Sequence, residues 1–194
     1  MRKKSHISLA SQVLDTFKKE EMIGHKLSFY VGSVLPDCQP SFLTVPHNIH
    51  RTFDKVQKMI HFILAECKNQ EDLGIGMCMK LGMVTHYLAD YFTFPHNKTY
   101  DGNLKDHCIY ENELKHYLRS YIKSGRAARE IVPTRLLRSR EEIEQYILTM
   151  HQEYLKRKRS VTEDANYIVR VSLEVIGSIF ALLQEQNRAA SSFA

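Results

Sequence analysis

Residues 72–92 are apolar on nearly every side when they are drawn as a helix. A helix of that kind is stable in a folded protein only where other elements surround it, so the stretch predicts a central helix inside a helical bundle. The chain has only 8 glycines and 5 prolines in 194 residues, which is little material for the many tight turns of a sandwich or barrel. We therefore expect an all-α protein.

Six further segments show apolar residues at helical spacing, three before the central helix and three after it. They cover residues 5–19, 21–31, 49–67, 104–123, 141–158 and 162–186. Neither an internal repeat nor an internal boundary divides the sequence, and its length is ordinary for one domain. We expect a single-domain helical bundle over residues 1–194.

The charge and cysteine content of the chain exclude few classes of protein. An excess of 27 lysine and arginine over 22 acidic residues gives a formal charge of +5, part of it in the run Lys156-Arg157-Lys158-Arg159. Such a run is usually a solvated helix face, or it attracts phosphate-rich partners, and charge alone does not separate the two. The 4 cysteines form no CxxC pair, so reduced thiols are expected. We find neither a signal peptide nor an apolar run of transmembrane length, and expect a cytoplasmic protein.

Two pairs of histidine and carboxylate stand at four-residue spacing on consecutive predicted helices. His86 and Asp90 belong to the central helix, and His107 and Glu111 to the next one. Residues four apart share one face of a helix, and a carboxylate inside an apolar helix is costly unless it is paired or binds a cation. One such pair is more often a hydrogen bond or salt bridge than a metal site. Two pairs, with His96 in the loop between them, favour metal binding.

Other candidate ligands lie upstream of these pairs. His6 falls on the first helix, Asp37 in a loop after Pro36, and His50 at the start of the third helix. Asp37 is also a normal residue for a turn or a helix cap. His47, three residues before His50, is by its chemistry an equally good ligand. Four further histidines have no partner at metal-ligand spacing and are expected in the core or on the surface: His25, His61, His116 and His151.

Taken in order, these residues resemble the zinc-dependent phospholipase C family over roughly residues 5–111. The matching elements are, in chain order, Ser5-His6, Leu35-Pro36-Asp37, His50, His86-Tyr-Leu-Ala-Asp90, Pro95-His96 and His107-Cys-Ile-Tyr-Glu111. The last three are the most specific, because they reproduce the family's His-x-x-x-Asp element, a following Pro-x-His or Pro-His element, and its His-x-x-x-Glu element. The resemblance implies an α-helical bundle of the phospholipase C and P1 nuclease type with a buried multinuclear zinc site.

The resemblance also implies how the metal ligands are distributed. The implied sets are Asp37, His50, His86 and Asp90 for one zinc ion, His96, His107 and Glu111 for a second, and His6 with a bridging Asp90 for a third. In the family, the α-amino group of an N-terminal tryptophan completes the third ion, and this chain contains no tryptophan. We therefore expect two zinc ions, and a third only where other atoms complete its site. The catalytic candidates are Asp37 and Asp90.

The implied activity is hydrolysis of a phosphodiester, with a phospholipid headgroup as substrate and peripheral contact with a membrane. Zinc ions at such a site lower the pKa of a bound water, so no protein nucleophile is required. An S1/P1-type nuclease is the alternative enzyme, since that family shares the fold and a similar ligand order. Aromatic residues near the ligands, such as Tyr87 and Tyr110, suit base stacking or core packing. A metal-binding protein without catalysis is the third hypothesis.

Overall fold

The computed structural model describes residues 1–20, 22–39, 46–67, 72–131 and 136–191, and every regular element in these ranges is helical. The α-helices are α1 (Lys3–Thr16), α2 (Lys26–Val34), α3 (Ile49–Glu66), α4 (Ile75–Tyr91), α5 (Leu104–Lys123), α6 (Arg126–Glu130), α7 (Arg140–Leu155) and α8 (Val161–Ser191). Short 3₁₀ helices cover Lys18–Glu20, Leu35–Cys38 and Phe94–His96. The predicted all-α class is confirmed.

The second helix begins later than the sequence pattern predicted. It starts at Lys26 rather than at Glu21, which lies outside the described residues. The segment before Lys26 is held by another partner, because the backbone N–H of Leu73 donates to the carbonyl oxygen of Met22 at 2.9 Å. Met22 and Ile23 are buried there, so core contacts and not helical hydrogen bonds fix this segment.

The fifth helix ends as predicted, but a short helix that was not predicted follows it. Gly125 has a φ of 70°, in the left-handed region where glycine is favoured. The chain changes direction at this residue and makes one more helical turn, α6, before Ile131. The apolar pattern did not reveal α6, because five residues are too few to show a helical period.

Helix α4 lies at the centre of the bundle, as predicted, and every residue from 84 to 91 is buried. It packs most extensively against α2, at a contact where Gly32 and Gly82 bring the two backbones together. A Cβ atom on Gly32 would overlap the carbonyl oxygen of Met79, and one on Gly82 would overlap that of Phe29. The absence of both side chains therefore sets the distance between α2 and α4.

Helix α8 is the longest element and packs against α1, α4 and α5. By length and composition, Val161–Ala189 is apolar enough to cross a membrane, so the expectation that no run reaches this length is wrong. In the structure, 72% of its most apolar 18-residue window is buried inside the bundle. This burial is what a core helix of a helical bundle shows.

Candidate metal centre

The site is built on one face of α4. The side chains of His86 and Asp90 are both fully buried, with His86 Nε2 3.1 Å from Asp90 Oδ2. The other ring nitrogen of His86, Nδ1, lies 2.9 Å from the carbonyl oxygen of Ser33 on α2. Because only a protonated Nδ1 can donate to that carbonyl, Nε2 is left as the acceptor that faces the site. A histidine held in this way is oriented as a metal ligand.

Three further residues from separate elements converge on this pair. His6 comes from the buried face of α1, Asp37 from the 3₁₀ helix Leu35–Cys38, and His47 from the segment before α3. We call the five residues the inner cluster: His6, Asp37, His47, His86 and Asp90. His6 Nε2 lies 3.5 Å from Asp90 Oδ1, Asp37 Oδ1 lies 3.5 Å from His86 Nε2, and His47 Nδ1 lies 3.2 Å from Asp90 Oδ2. One ligand atom each from His6, Asp37, His86 and Asp90 lies within 4.8 Å of the others.

A second group, the outer cluster, consists of His96, His107 and Glu111. The Nε2 atoms of His96 and His107 each lie 3.1 Å from Glu111 Oε1. His107 and Glu111 are one turn apart on α5, as their spacing predicted, and His96 comes from the 3₁₀ helix Phe94–His96. These side chains are partly exposed, His107 by 29%. Asp90 links the two clusters, because its Oδ1 lies 3.8 Å from His96 Nδ1.

The α-amino group of Met1 lies where the two clusters meet. Its nitrogen is 2.7 Å from Asp90 Oδ1, 2.7 Å from His96 Nε2 and 3.1 Å from Glu111 Oε1. Burial opposes the charged amine, but the carboxylates of Asp90 and Glu111 raise its pKa above the ordinary value. A positive charge is thus held between two carboxylates, which is the electrostatic role that a metal cation would have at this point.

His6 shows that the inner cluster fits a metal ion. Neither ring nitrogen of this fully buried side chain finds a hydrogen-bond partner among the described residues. Burial lowers the pKa of His6 to about 3, so the imidazole is neutral. A neutral imidazole that faces a carboxylate without a hydrogen bond suits metal ligation, because zinc accepts neutral histidine nitrogens together with carboxylate oxygens. The donor set of the cluster therefore fits zinc.

The structure brings together seven of the eight ligands predicted from the sequence, and places His50 elsewhere. His50 is exposed on the first turn of α3, whereas His47 is buried and contacts both His86 and Asp90. The reason lies in the cap of α3: the side chain of Asn48 accepts a hydrogen bond from Arg51 N–H, so the helix begins at Ile49. Ile49 then occupies the buried face and His50 the outer one. Pro46-His47 also repeats the Pro-His pair of residues 95–96, a signal that the sequence offered.

A cleft of about 520 Å³ opens at the outer cluster. His96, His107 and Glu111 line it together with the buried His47. The remaining lining residues are Met1, Pro46, Asn48, Pro95, Asn97, Lys98, Leu104 and Cys108. A ligand in this cleft would reach the outer cluster and His47 from solvent, whereas the other four residues of the inner cluster do not line it.

A buried carboxylate on α8, Asp164, supports the outer cluster from behind and was not anticipated from the sequence. Its Oδ2 accepts hydrogen bonds from the backbone N–H of Phe94 at 2.9 Å and from the hydroxyl of Tyr110 at 3.0 Å. Its Oδ1 accepts one from Tyr154 at 2.8 Å. Burial raises the pKa of Asp164 to about 7. Phe94 and Tyr110 are close in sequence to His96 and to Glu111, so this one residue ties α8 to both elements of the outer cluster.

Comparison with known proteins identifies the family of the chain. A family model described as zinc dependent phospholipase C matches residues 5–161. No curated protein and no solved structure matches the chain. The matched range extends past the residues 5–111 that carried the resemblance, and it contains both clusters. The chain belongs to the zinc-dependent phospholipase C family, whose members are hydrolases of phosphoric diesters.

Proposed function

We propose that this protein hydrolyses the headgroup phosphodiester of a phospholipid at a zinc centre formed by the inner and outer clusters. The observation that carries the proposal is Asp90, a carboxylate with no exposed surface. Its Oδ2 faces His47 and His86, and its Oδ1 faces His6 and His96. A carboxylate so placed is costly unless cations compensate it, and it is shaped to bridge two of them. Zinc bound there would supply an activated water and positive charge for the phosphoryl oxygens.

The proposed ligand sets follow the geometry. Asp37, His47, His86 and Asp90 would hold one ion, with His47 in the place that the resemblance gave to His50. His96, His107 and Glu111 would hold a second. His6 and Asp90 would be available to a third, and the nitrogen of the Met1 α-amino group, once it has lost its proton, would be a further donor beside them.

Asp37 and Asp90 have a second task besides holding metal. Their carboxylate oxygens approach the same atom, His86 Nε2, at 3.5 and 3.1 Å. Either carboxylate, through an oxygen that holds no metal, would accept a hydrogen bond from a water molecule at the site and favour removal of its proton. Both residues therefore remain the catalytic candidates.

The cleft favours a phospholipid headgroup over single-stranded nucleic acid. Nucleases of single strands stack bases on aromatic side chains, whereas the described lining of the cleft contains no phenylalanine or tyrosine. Pro46, Pro95 and Leu104 offer apolar walls beside the polar outer cluster. Such a surface suits a molecule that joins a charged phosphodiester to an apolar body.

Two measurements test the proposal together. Elemental analysis of protein kept away from chelators and affinity-tag metals should give about two zinc ions per chain, or three if Met1 completes the last site. The same protein should hydrolyse a chromogenic phosphocholine ester and leave single-stranded nucleic acid intact. Less than half an equivalent of transition metal, not restored by added zinc, would contradict the metal centre. A fully metallated protein that acts on neither substrate would be a metal-binding protein without catalysis.

A further inference from the structure

We propose that the turn between α7 and α8 and the rim of the cleft form one docking surface for membranes that contain anionic phospholipid. The inference rests on the proposed function, since it describes how the site would reach a substrate embedded in a lipid surface. We call residues 155–160 the basic turn. The rim residues are Lys98, Leu104 and Lys105.

The basic turn contains the longest run of consecutive lysine and arginine residues in the described chain. Lys156, Arg157, Lys158 and Arg159 are consecutive and all exposed, and Leu155 before them is 39% exposed. Glu153 and Glu163 flank the turn and leave it net positive. Lysine and arginine close to an anionic lipid surface each add favourable binding energy, and a neighbouring apolar side chain adds burial in the interface.

The basic turn is fixed in place beside the metal centre. Tyr154, just before the turn, donates to Asp164, just after it, and the same carboxylate accepts from Phe94 N–H. The guanidinium of Arg159 lies 4.6 Å from the centre of the Phe94 ring. Phe94 begins the 3₁₀ helix that carries His96, so the turn stands directly behind the wall of the cleft.

The segment of residues 94–99 connects the basic turn to the rim of the cleft. Thr99 and Phe94 line a small depression with Arg157, Lys158 and Arg159. Lys98, the residue before Thr99, lines the cleft itself.

Leu104, at the start of α5, lines the cleft too and is 78% exposed, with the exposed Lys105 next to it. The exposed Asp101 and Asp106 balance the charge of Lys98 and Lys105, so the net positive charge of the surface lies in the basic turn. Lysines and exposed leucines together extend from that turn to the mouth of the cleft. Exposed leucine next to lysine is the combination that enters the boundary between headgroups and acyl chains.

A lipid surface fits this composition better than nucleic acid does. The ring of Phe94 has Arg159 over it and packs edge-on with Tyr100 and Tyr110, so these contacts compete with the stacking of a base on this ring. Leu104 and Leu155 add apolar surface that a phosphate backbone would leave in water.

The experiment is co-sedimentation of the metallated protein with vesicles of phosphatidylcholine, with or without phosphatidylglycerol. The test variant is Lys156→Gln/Lys158→Gln. The matched control is Lys18→Gln/Lys19→Gln, which removes the same charge from exposed lysines at the far end of α1 from Met1. We expect wild type and control to prefer the anionic vesicles, and the test variant to bind them on the order of tenfold more weakly. Leu104→Ser should weaken binding to both kinds of vesicle.

Hydrolysis of a soluble phosphocholine ester, measured in parallel, separates this proposal from the proposed function. The test variant should retain wild-type turnover of that ester, since neither lysine touches the clusters. Equal binding of wild type to the two kinds of vesicle, or equal loss in test and control variants, would overturn the docking surface whatever the ester assay gives. Binding of single-stranded oligonucleotide, lost in the test variant while vesicle binding is kept, would also overturn it. Loss of ester hydrolysis in wild type with intact vesicle binding would refute the proposed function alone.

Discussion

The inner and outer clusters contain the same chemical groups but are assembled in different ways. The inner cluster draws on α1, a 3₁₀ helix, the segment before α3, and α4, which are elements spread over residues 6–90. The outer cluster comes from residues 96–111, with two of its members on one helix. The inner residues are buried almost completely, and the outer ones line a cleft that is open to solvent. The inner cluster therefore depends on the packing of several elements, whereas the neighbouring outer cluster comes from one short stretch of sequence.

This difference predicts a division of properties. Because the inner cluster joins four elements, a cation there should stabilise the whole bundle as well as the site. The outer cluster is preorganised by a single helical turn and is exposed, so its cation should exchange with solvent more easily. Asp90 faces both clusters, so its substitution should impair metal binding at both of them.

The largest effect is expected for Asp90→Asn. The amide keeps the shape of the side chain but cannot compensate and bridge two cations, so turnover of the phosphocholine ester should fall on the order of a hundredfold or more. His116→Ala is the matched control, because His116 is exposed on α5 and no contact joins it to either cluster among the described residues. Equal turnover in Asp90→Asn and wild type would refute a shared centre.

Removal of metal should come next in size. Without cations, the inner carboxylates remain buried with incomplete compensation, and the melting temperature should fall by on the order of 10 °C. Differential scanning calorimetry of the zinc-loaded and chelator-treated protein measures the shift. A difference in melting temperature of only one or two degrees would mean that metal at the inner cluster does not stabilise the helical bundle.

Single histidine variants compare the clusters directly. His107→Ala should lose about one zinc ion per chain and melt close to wild type, because it leaves the inner cluster intact. His86→Ala should lose zinc and also melt markedly lower, since it removes the contact with Ser33 and opens a cavity beside α2. Zinc content and the calorimetric melting temperature are measured for both variants. Equal melting temperatures would show that the inner cluster does not stabilise the bundle more than the outer cluster does.

The smallest effect is expected for Asp164, which tests whether zinc binding at the outer cluster depends on contacts with α8. Asp164→Ala should weaken zinc binding at the outer cluster by on the order of tenfold, because it frees the backbone of Phe94 and the ring of Tyr110. Asp164→Asn still offers an acceptor and should restore most of the affinity.

Glu174→Gln is the control for Asp164. Glu174 is a buried carboxylate on the same helix that accepts from Tyr146, away from the site. Zinc affinity in Asp164→Ala that equals the control would show that the outer cluster does not depend on α8.

The sequence predicted the elements whose signal is local and missed what depends on tertiary contact. His86 with Asp90 and His107 with Glu111 were recognisable because helical spacing alone puts each pair on one face. The choice between His47 and His50 depended on where α3 starts, which Asn48 decides. Nothing local marks Asp164, since its three donors come from residues 94, 110 and 154 and meet only in the folded bundle.

Gly32 and Gly82 have no side chain that could bind metal, yet transfer of the metal site to another scaffold depends on them. Gly32 and Gly82 bring α2 close enough to α4 for the carbonyl of Ser33 to hold His86 Nδ1. A protein engineer who grafted only the ligand side chains onto a different helical bundle would keep every donor atom and lose this hold. His86 would then rotate freely, and the graft would bind zinc more weakly than its ligand count suggests. The graft must therefore include the glycine contact between the two helices.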